Sequence, residues 1–250
     1  MEKEVITEVI HEEQKKEIYQ SKSGFIELPV LRGFTEILPL FNIISKYEDK
    51  AFICGGYARY CASPRTNPIE ASDIDIYCYK QSIFEGLKED FKGLKIRHEN
   101  EISLTYNRPN EAPHAYHPSI QLIKPLNQGA MVLMGDMKSV LSNFDFTVIR
   151  VGILSSEKVL ADADFEHDER TLILRLKNIH CPISSTLRCM KYATKGYWLK
   201  PFETLKLFLD WDSRTNEYRE KLRDFLEKSH QEQGLSKEDI NELEALMRID

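Results

Sequence analysis

Phe52-Ile53-Cys54-Gly55-Gly56-Tyr57-Ala58-Arg59, followed after a loop by Ser72-Asp73-Ile74-Asp75-Ile76-Tyr77, is the stretch that decides the fold. Ala51 to Cys54 reads as a short apolar strand running straight into the glycine pair, and Tyr57 to Cys61 opens a helix. The intervening Ser63-Pro64-Arg65-Thr66-Asn67-Pro68 is rich in turn formers. Ser72 to Tyr79 then alternates at period two. Asp73, Asp75 and Tyr77 take one face, and Ile74, Ile76 and Cys78 the other. The isoleucines bury the back of the strand, so the two carboxylates project from a fixed element. Taken singly, a Gly-Gly pair is usually only a turn and an Asp-x-Asp pair only a solvated face. Their order and spacing give them a joint chemistry. Glycines between strand and helix let backbone N–H groups approach a phosphate, and the helix N-terminus favours the anion. Two aspartates at i and i+2 can bridge two hard cations about 4 Å apart, and Mg²⁺ suits such an all-oxygen site.

Outward from this stretch, residues 31–47 carry apolar positions at helical spacing, and 81–93 also read as a helix. Lys95–His98, Ile102–Tyr106, Ser119–Ile123 and Phe144–Leu154 are strand candidates. Beyond about residue 160 the pattern is helical, over 166–177, 184–196, 201–211, 214–229 and 236–248, the last with a capping-box-like Ser236 and Asp239. An exposed, charged helix is expected over 4–20. The expected fold is α+β, a small mixed β-sheet head with flanking helices followed by a helical neck. The expected divisions are an N-terminal helical extension at 1–24, a head at 25–160 and a helical neck and C-terminal domain at 161–250.

Of the 250 residues, 42% are hydrophobic, enough for a core and against wholesale disorder. No apolar run is long enough to span a membrane, and Met1-Glu2-Lys3-Glu4 does not open like a signal peptide. Five cysteines without a CxxC pair read as reduced core thiols of a cytoplasmic protein, with no zinc site. His114 and His117 have ligand-like spacing in a Pro-bounded loop but lack a third partner; His98 and His180 stand alone. The net charge of −6 argues against indiscriminate nucleic-acid binding. Residues 170–214 nevertheless carry nine Lys or Arg against three acids, net +6. Arg188, Lys191 and Lys195 share one helical face there, beside Tyr192. Such a stripe suits a nucleotide or RNA backbone. Its bland reading is a solvated face opposite a buried Leu187, Met190 and Ala193.

These motifs resemble the polymerase-beta-type nucleotidyltransferases. Phe52 to Arg59 resembles their hydrophobic-Gly-Gly-x-x-Arg opening, and Ser72 to Tyr77 their metal motif. Asp145-Phe146-Thr147-Val148 is similar to the Arg-Arg-Asp-Phe-Thr-Ile-Asn motif of tRNA CCA-adding enzymes and bacterial poly(A) polymerases. Thr186-Leu187-Arg188-Cys189-Met190-Lys191-Tyr192-Ala193 resembles their Leu-Arg-Ala-Ile-Arg-Phe-Ala neck helix. Gly196-Tyr197 and Pro201 to Thr204 follow the same family's sequel, so the resemblance spans about residues 50–208. The chain departs from the pattern at Asn143 and Phe144, where the family has two Arg, at Ile149 in place of Asn, and at Tyr60 in place of Asp. The family's Glu-Asp-x-x-Arg helix has no match after residue 208.

The resemblance implies that Gly55 and Gly56 hold the triphosphate, with Arg59 supporting their turn and Ser72, Arg188 and Lys191 also serving the nucleotide. It implies Asp73 and Asp75 as ligands of two Mg²⁺ ions, and Asp73, Asp75 and Asp145 as catalytic residues. Asp145 either helps place the incoming nucleotide or serves as a third carboxylate. The implied reaction moves an NMP from an NTP such as ATP to an acceptor hydroxyl, with an RNA 3′ end as the leading acceptor. A small molecule or a protein hydroxyl is the rival acceptor, and a non-catalytic nucleotide- or RNA-binding relative is the rival of another class.

Overall fold

A computed structural model of the protein describes residues 22–107, 118–128, 131–229 and 236. In chain order the strands are β1 (Phe25–Pro29), β2 (Ala51–Cys54), β3 (Asp73–Cys78), β4 (Ile96–Glu99), β5 (Ser103–Tyr106), β6 (Ser119–Ile123), β7 (Asn127–Gln128), β8 (Met131–Val132), β9 (Val151–Ile153) and β10 (Lys158–Asp162). Eight of them form one sheet in the order β1-β10-β9-β2-β3-β6-β5-β4, while β7 and β8 pair only with each other. The sheet is mixed because β3 runs parallel to β6 and antiparallel to β2.

Helices α1 (Phe34–Ile44), α2 (Gly56–Ala62) and α3 (Gln81–Asp90) pack on one face of the sheet. The core there includes Ile37, Ala58 and Leu87 against Ile53, Ile74 and Ile76. On the other face, α4 (Met137–Ser142) contributes Val140 and Leu141 against Phe52, Cys54, Tyr77 and Phe144. The alternation read in β3 is therefore real: Ile74, Ile76 and Cys78 enter one core and Tyr77 the other. Helix α5 (Phe165–Thr171) docks Phe165 into the first core. A third core joins Phe146 and Val148 to Tyr192, Tyr197 and Leu207 of the neck. The neck comprises α6 (Pro182–Ala193), α7 (Pro201–Ser213) and α8 (Asn216–Ser229), with β11 (Ile173–Leu174) parallel to β12 (Trp198–Leu199).

Three expectations need correction. Phe144–Leu154 is not one strand: Thr147–Ile149 is a 3₁₀ turn, and only Val151–Ile153 joins the sheet. Phe144 and Phe146 enter different cores, which a flat strand with both rings on one face cannot do. The segment pairs instead with the start of the neck, Thr147 N–H donating to the Arg175 carbonyl and Lys177 N–H to the Asp145 carbonyl. Strand signals also do not stop at residue 160. β10 runs to Asp162 and pairs antiparallel with β1, a strand not expected at all. The helix expected over 166–177 ends at Leu172, whose φ of 55° is left-handed, and the chain continues into β11. The helix over 4–20, most of 236–248, and the loop with His114 and His117 lie outside the described residues.

All five cysteines are free thiols, four of them buried. Among the described residues no helix is long and apolar enough to cross a membrane.

Head and neck meet at a buried ion pair. Arg59 is 1% exposed and Glu169 is fully enclosed. Arg59 Nη1 lies 3.5 Å from Glu169 Oε1 and 3.2 Å from the Tyr197 hydroxyl, and Nη2 donates to the Ile69 carbonyl at 2.7 Å. Glu169 also accepts from Ser63 Oγ at 2.7 Å and from the Tyr197 hydroxyl. Removing one partner strands the other charge in the interior. Arg59→Met is expected to cost about 3–5 kcal/mol in urea unfolding; a loss below about 1 kcal/mol would show that the network does not hold α2, α5 and the neck together.

Candidate active site

The register of β2 on β3 sets Cys54 opposite Asp75, so the chain leaves β2 beside the carboxylates. Gly55 turns it there with φ 82° and ψ −137°, a conformation open to glycine and strained for other residues. Its N–H donates to the Val151 carbonyl at 2.9 Å and its carbonyl accepts from Arg59 N–H at 2.9 Å, which starts α2. A Cβ added to Gly55 would lie 3.6 Å from Asp75 Oδ2 and 3.8 Å from the Phe144 ring. The backbone of the turn thus lies close to the acid. Because the Gly55 amide is spent on the sheet, Gly56 is the member of the pair left to open the helix. A Cβ there would meet only Ala71 Cβ at 3.9 Å.

Gly55, Gly56, Ser72, Asp73 and Asp75 line a cavity of about 660 Å³. Asp145, Arg188 and Lys191 line it from the neck side, so the expected site residues come together in space. Asn100, Gln121, Asn143, His180 and Ser184 also face it. Gln121 is placed by the parallel pairing of β6, opposite Asp75, a non-local register that carries no sequence signal. Asn143 and Phe144, the departures from the family pattern, form part of the wall.

Ser72 Oγ donates to Asp73 Oδ2 at 3.1 Å. Burial, and then the neighbouring charge of Asp73, push the Asp75 carboxyl up to about 7, against the opposing pull of Lys191 and Arg188. Two carboxylates on one strand face are an all-oxygen donor set of the kind that suits a hard divalent cation. Among the described residues no group of three His, Cys, Asp or Glu side chains gathers at one point.

Asp145 does not join them as a third ligand. It is 4% exposed, and its Oδ2 accepts from Ser185 Oγ and Arg188 Nη1, each at 3.2 Å. Its Oδ1 is buried with no partner among the described residues. Arg59 touches the cavity, but its guanidinium is committed to Glu169, Tyr197 and the Ile69 carbonyl. His180 is held by Asn178 and the Asn143 carbonyl, and burial lowers its pKa.

The neck helix faces opposite to its bland reading. Leu187 and Met190 are 54% and 63% exposed, whereas Ser185 and Tyr192 are buried. Arg188, Lys191 and Lys195 all line the cavity. Lys195 Nζ lies over the Tyr192 ring at 5.5 Å. Burial, with Arg59 and Lys191 nearby, lowers the Lys195 pKa.

This architecture recurs in solved enzymes. The Thermotoga maritima CCA-adding enzyme complexed with tRNA matches with a TM-score of 0.51 and 17% identity, over 73% of this chain and 44% of that one. The chain has a polymerase-beta-type nucleotidyltransferase fold. A CCA-adding enzyme complex with ATP matches with a TM-score of 0.50 and 17% identity, over 76% of this chain and 46% of that one. A complex with CTP gives 0.50 and 17%, over 88% and 55%. The chain thus spans about half the length of these nucleotidyltransferases. No family model and no curated protein matches the sequence.

The raised Asp75 pKa makes a stability prediction. A carboxyl whose folded pKa lies above its ordinary 3.8 contributes its full stability below that value and loses it as pH rises toward about 7. Metal-free Asp75→Asn should therefore gain stability over the parent at pH 8 and little at pH 4. The expected gain is about 2 kcal/mol, after discounting for exposure to the cavity. Melting at the two pH values checks it; an equal shift at both would remove the electrostatic explanation.

Proposed function

We propose that this chain is a metal-dependent nucleotidyltransferase, moving an NMP from an NTP to an acceptor hydroxyl at an RNA 3′ end. The observation that carries this reading is the pairing of two strand-mounted carboxylates, Asp73 and Asp75, with a cationic helix face in one cavity. Asp73 and Asp75 would hold Mg²⁺, and their all-oxygen donor set suits it. Bound there, the metal would supply charge stabilisation to the attacking hydroxyl and to the departing pyrophosphate. Arg188, Lys191 and Lys195 would neutralise phosphate oxygens, and Gly56 leaves open space for their approach. All three cations line the same cavity as the carboxylates, which favours a role on the triphosphate or the entering 3′ end over a distant RNA track. The RNA acceptor is supported by the shared fold of the tRNA-complexed enzyme.

Incubation with Mg²⁺, each labelled NTP in turn and RNA, with pyrophosphate release as the second readout, tests the reading. Asp73→Asn and Asp75→Asn are each expected to cut transfer about 10³-fold, roughly 4 kcal/mol of barrier, while the fold is kept. Activity surviving in the double variant, or no transfer to any acceptor by the parent protein, would overturn the assignment.

Gly56→Val separates binding from folding. Its Cβ finds ordinary contact with Ala71, so that carbon costs the fold little, while the two added methyls obstruct phosphate approach. NTP affinity should fall about tenfold, near 1.4 kcal/mol, with a smaller change in melting. Unchanged affinity in the folded variant would remove Gly56 from the phosphate site.

A further inference from the structure

The loop between α2 and β3 carries a feature that the nucleotide site does not use. Pro64, Arg65, Thr66 and Asn67 line an open hollow of about 420 Å³, and Arg170 of α5 closes its other side. Two guanidinium groups from separate elements thus share one hollow with a hydroxyl and an amide, and no carboxylate lines it. Arg65 Nη1 is sealed from solvent and has no hydrogen-bond partner among the described residues. Arg170 uses Nε and Nη2 on Glu166, four residues back on its own helix, in an ion pair whose side chains are 57% and 50% exposed. Pairs that exposed hold weakly, so an incoming anion can compete for the guanidinium.

The loop is anchored from below. Ser63 Oγ is bonded to Glu169 and the Ile69 carbonyl to Arg59. The same Arg59 lines the catalytic cavity, and Ala71 and Ser72 form part of its wall. From Asn67 to Ser72 the chain can span at most about 18 Å, five residues at up to about 3.6 Å each. The hollow therefore lies within about 18 Å of Ser72, no more than about five stacked nucleotides at roughly 3.4 Å of rise.

We propose that the Arg65–Arg170 hollow holds a backbone phosphate of the acceptor strand, a few nucleotides from the 3′ end in the cavity. The inference rests on the RNA-acceptor reading. Arginine forks match phosphate oxygens in geometry and charge, and Thr66 and Asn67 add neutral donors. The contact positions the strand without reading its sequence.

The test uses the full chain, a labelled eight-nucleotide RNA and MgATP, comparing the parent with Arg65→Ser/Arg170→Ser. A control, Lys88→Ser/Lys92→Ser, removes equal charge from α3 and its exit, which line neither the hollow nor the nucleotide cavity. In the Arg65/Arg170 variant RNA affinity should fall about tenfold. The slope of log K against log salt should flatten by about 1.4, two contacts at roughly 0.7 each for a single strand. MgATP affinity should be unchanged, the lysine control should show neither change, and Arg65→Lys/Arg170→Lys should restore most of the slope. RNA affinity and slope equal to the parent's would overturn the proposal. So would inorganic phosphate binding that is lost in the variant while RNA binding persists, which assigns the hollow to a free anion. RNA that never binds the parent, with MgATP bound normally, would overturn both this contact and the RNA acceptor but leave the nucleotide site. RNA binding by a parent protein that fails to bind MgATP would sink nucleotidyl transfer, and the salt slope would still decide the hollow.

Discussion

The guanidinium of Arg59 is a charge placed in the interior, and much of the molecule is arranged to satisfy it. Its acceptors come from the loop before β3 at Ile69, from α5 at Glu169 and from the neck at Tyr197. A buried arginine is tolerated only when paired and hydrogen-bonded. Meeting that condition fixes the start of α2, the approach to Asp73 and the seat of the neck at once. The glycine turn and the carboxylate strand therefore meet the neck helix at a set distance, which is what a cavity built from separate elements requires.

The cavity itself is divided by charge. One wall carries Asp73 and Asp75, and the other Arg188, Lys191 and Lys195. The acids repel, and burial raises the Asp75 pKa further. Two acids on one strand face, one of them buried, therefore hold each other's charge at a cost that the cations across the cavity only partly offset. The same charges account for the orientation of α6. Turning Leu187 and Met190 inward would have pointed its cations away from the acids; instead these apolar residues stand exposed.

Exposed apolar surface continues on α7, where Phe202, Leu205, Phe208 and Leu209 are each at least half exposed. The chain spans about half of each solved enzyme that shares its fold, and the family's base-reading Glu-Asp-x-x-Arg helix has no counterpart after residue 208. Within the cavity, Asp145 keeps one buried carboxylate oxygen without a partner among the described residues, beside Arg188.

The strand, the Gly-Gly turn, the following helix and the Asp-x-Asp strand were legible in the sequence because each signal is local. Period-two alternation in 73–78 and glycine at a left-handed turn need no distant partner to be read. Their order was enough to name the residues that now line one cavity. Other features needed the third dimension. β1 pairs with β10 across more than 100 residues, and neither strand's five residues announce a partner. Asp145 was expected on a strand and reaches the cavity from a 3₁₀-turn approach, because its two flanking rings are drawn into separate cores. Arg59 reads as a phosphate-turn residue until Glu169 and Tyr197 are seen to enclose it. The neck's amphipathic pattern is symmetric to a reader of the sequence, since it marks two faces without saying which is inside. The acids across the cavity break that symmetry, and only the tertiary structure brings them opposite.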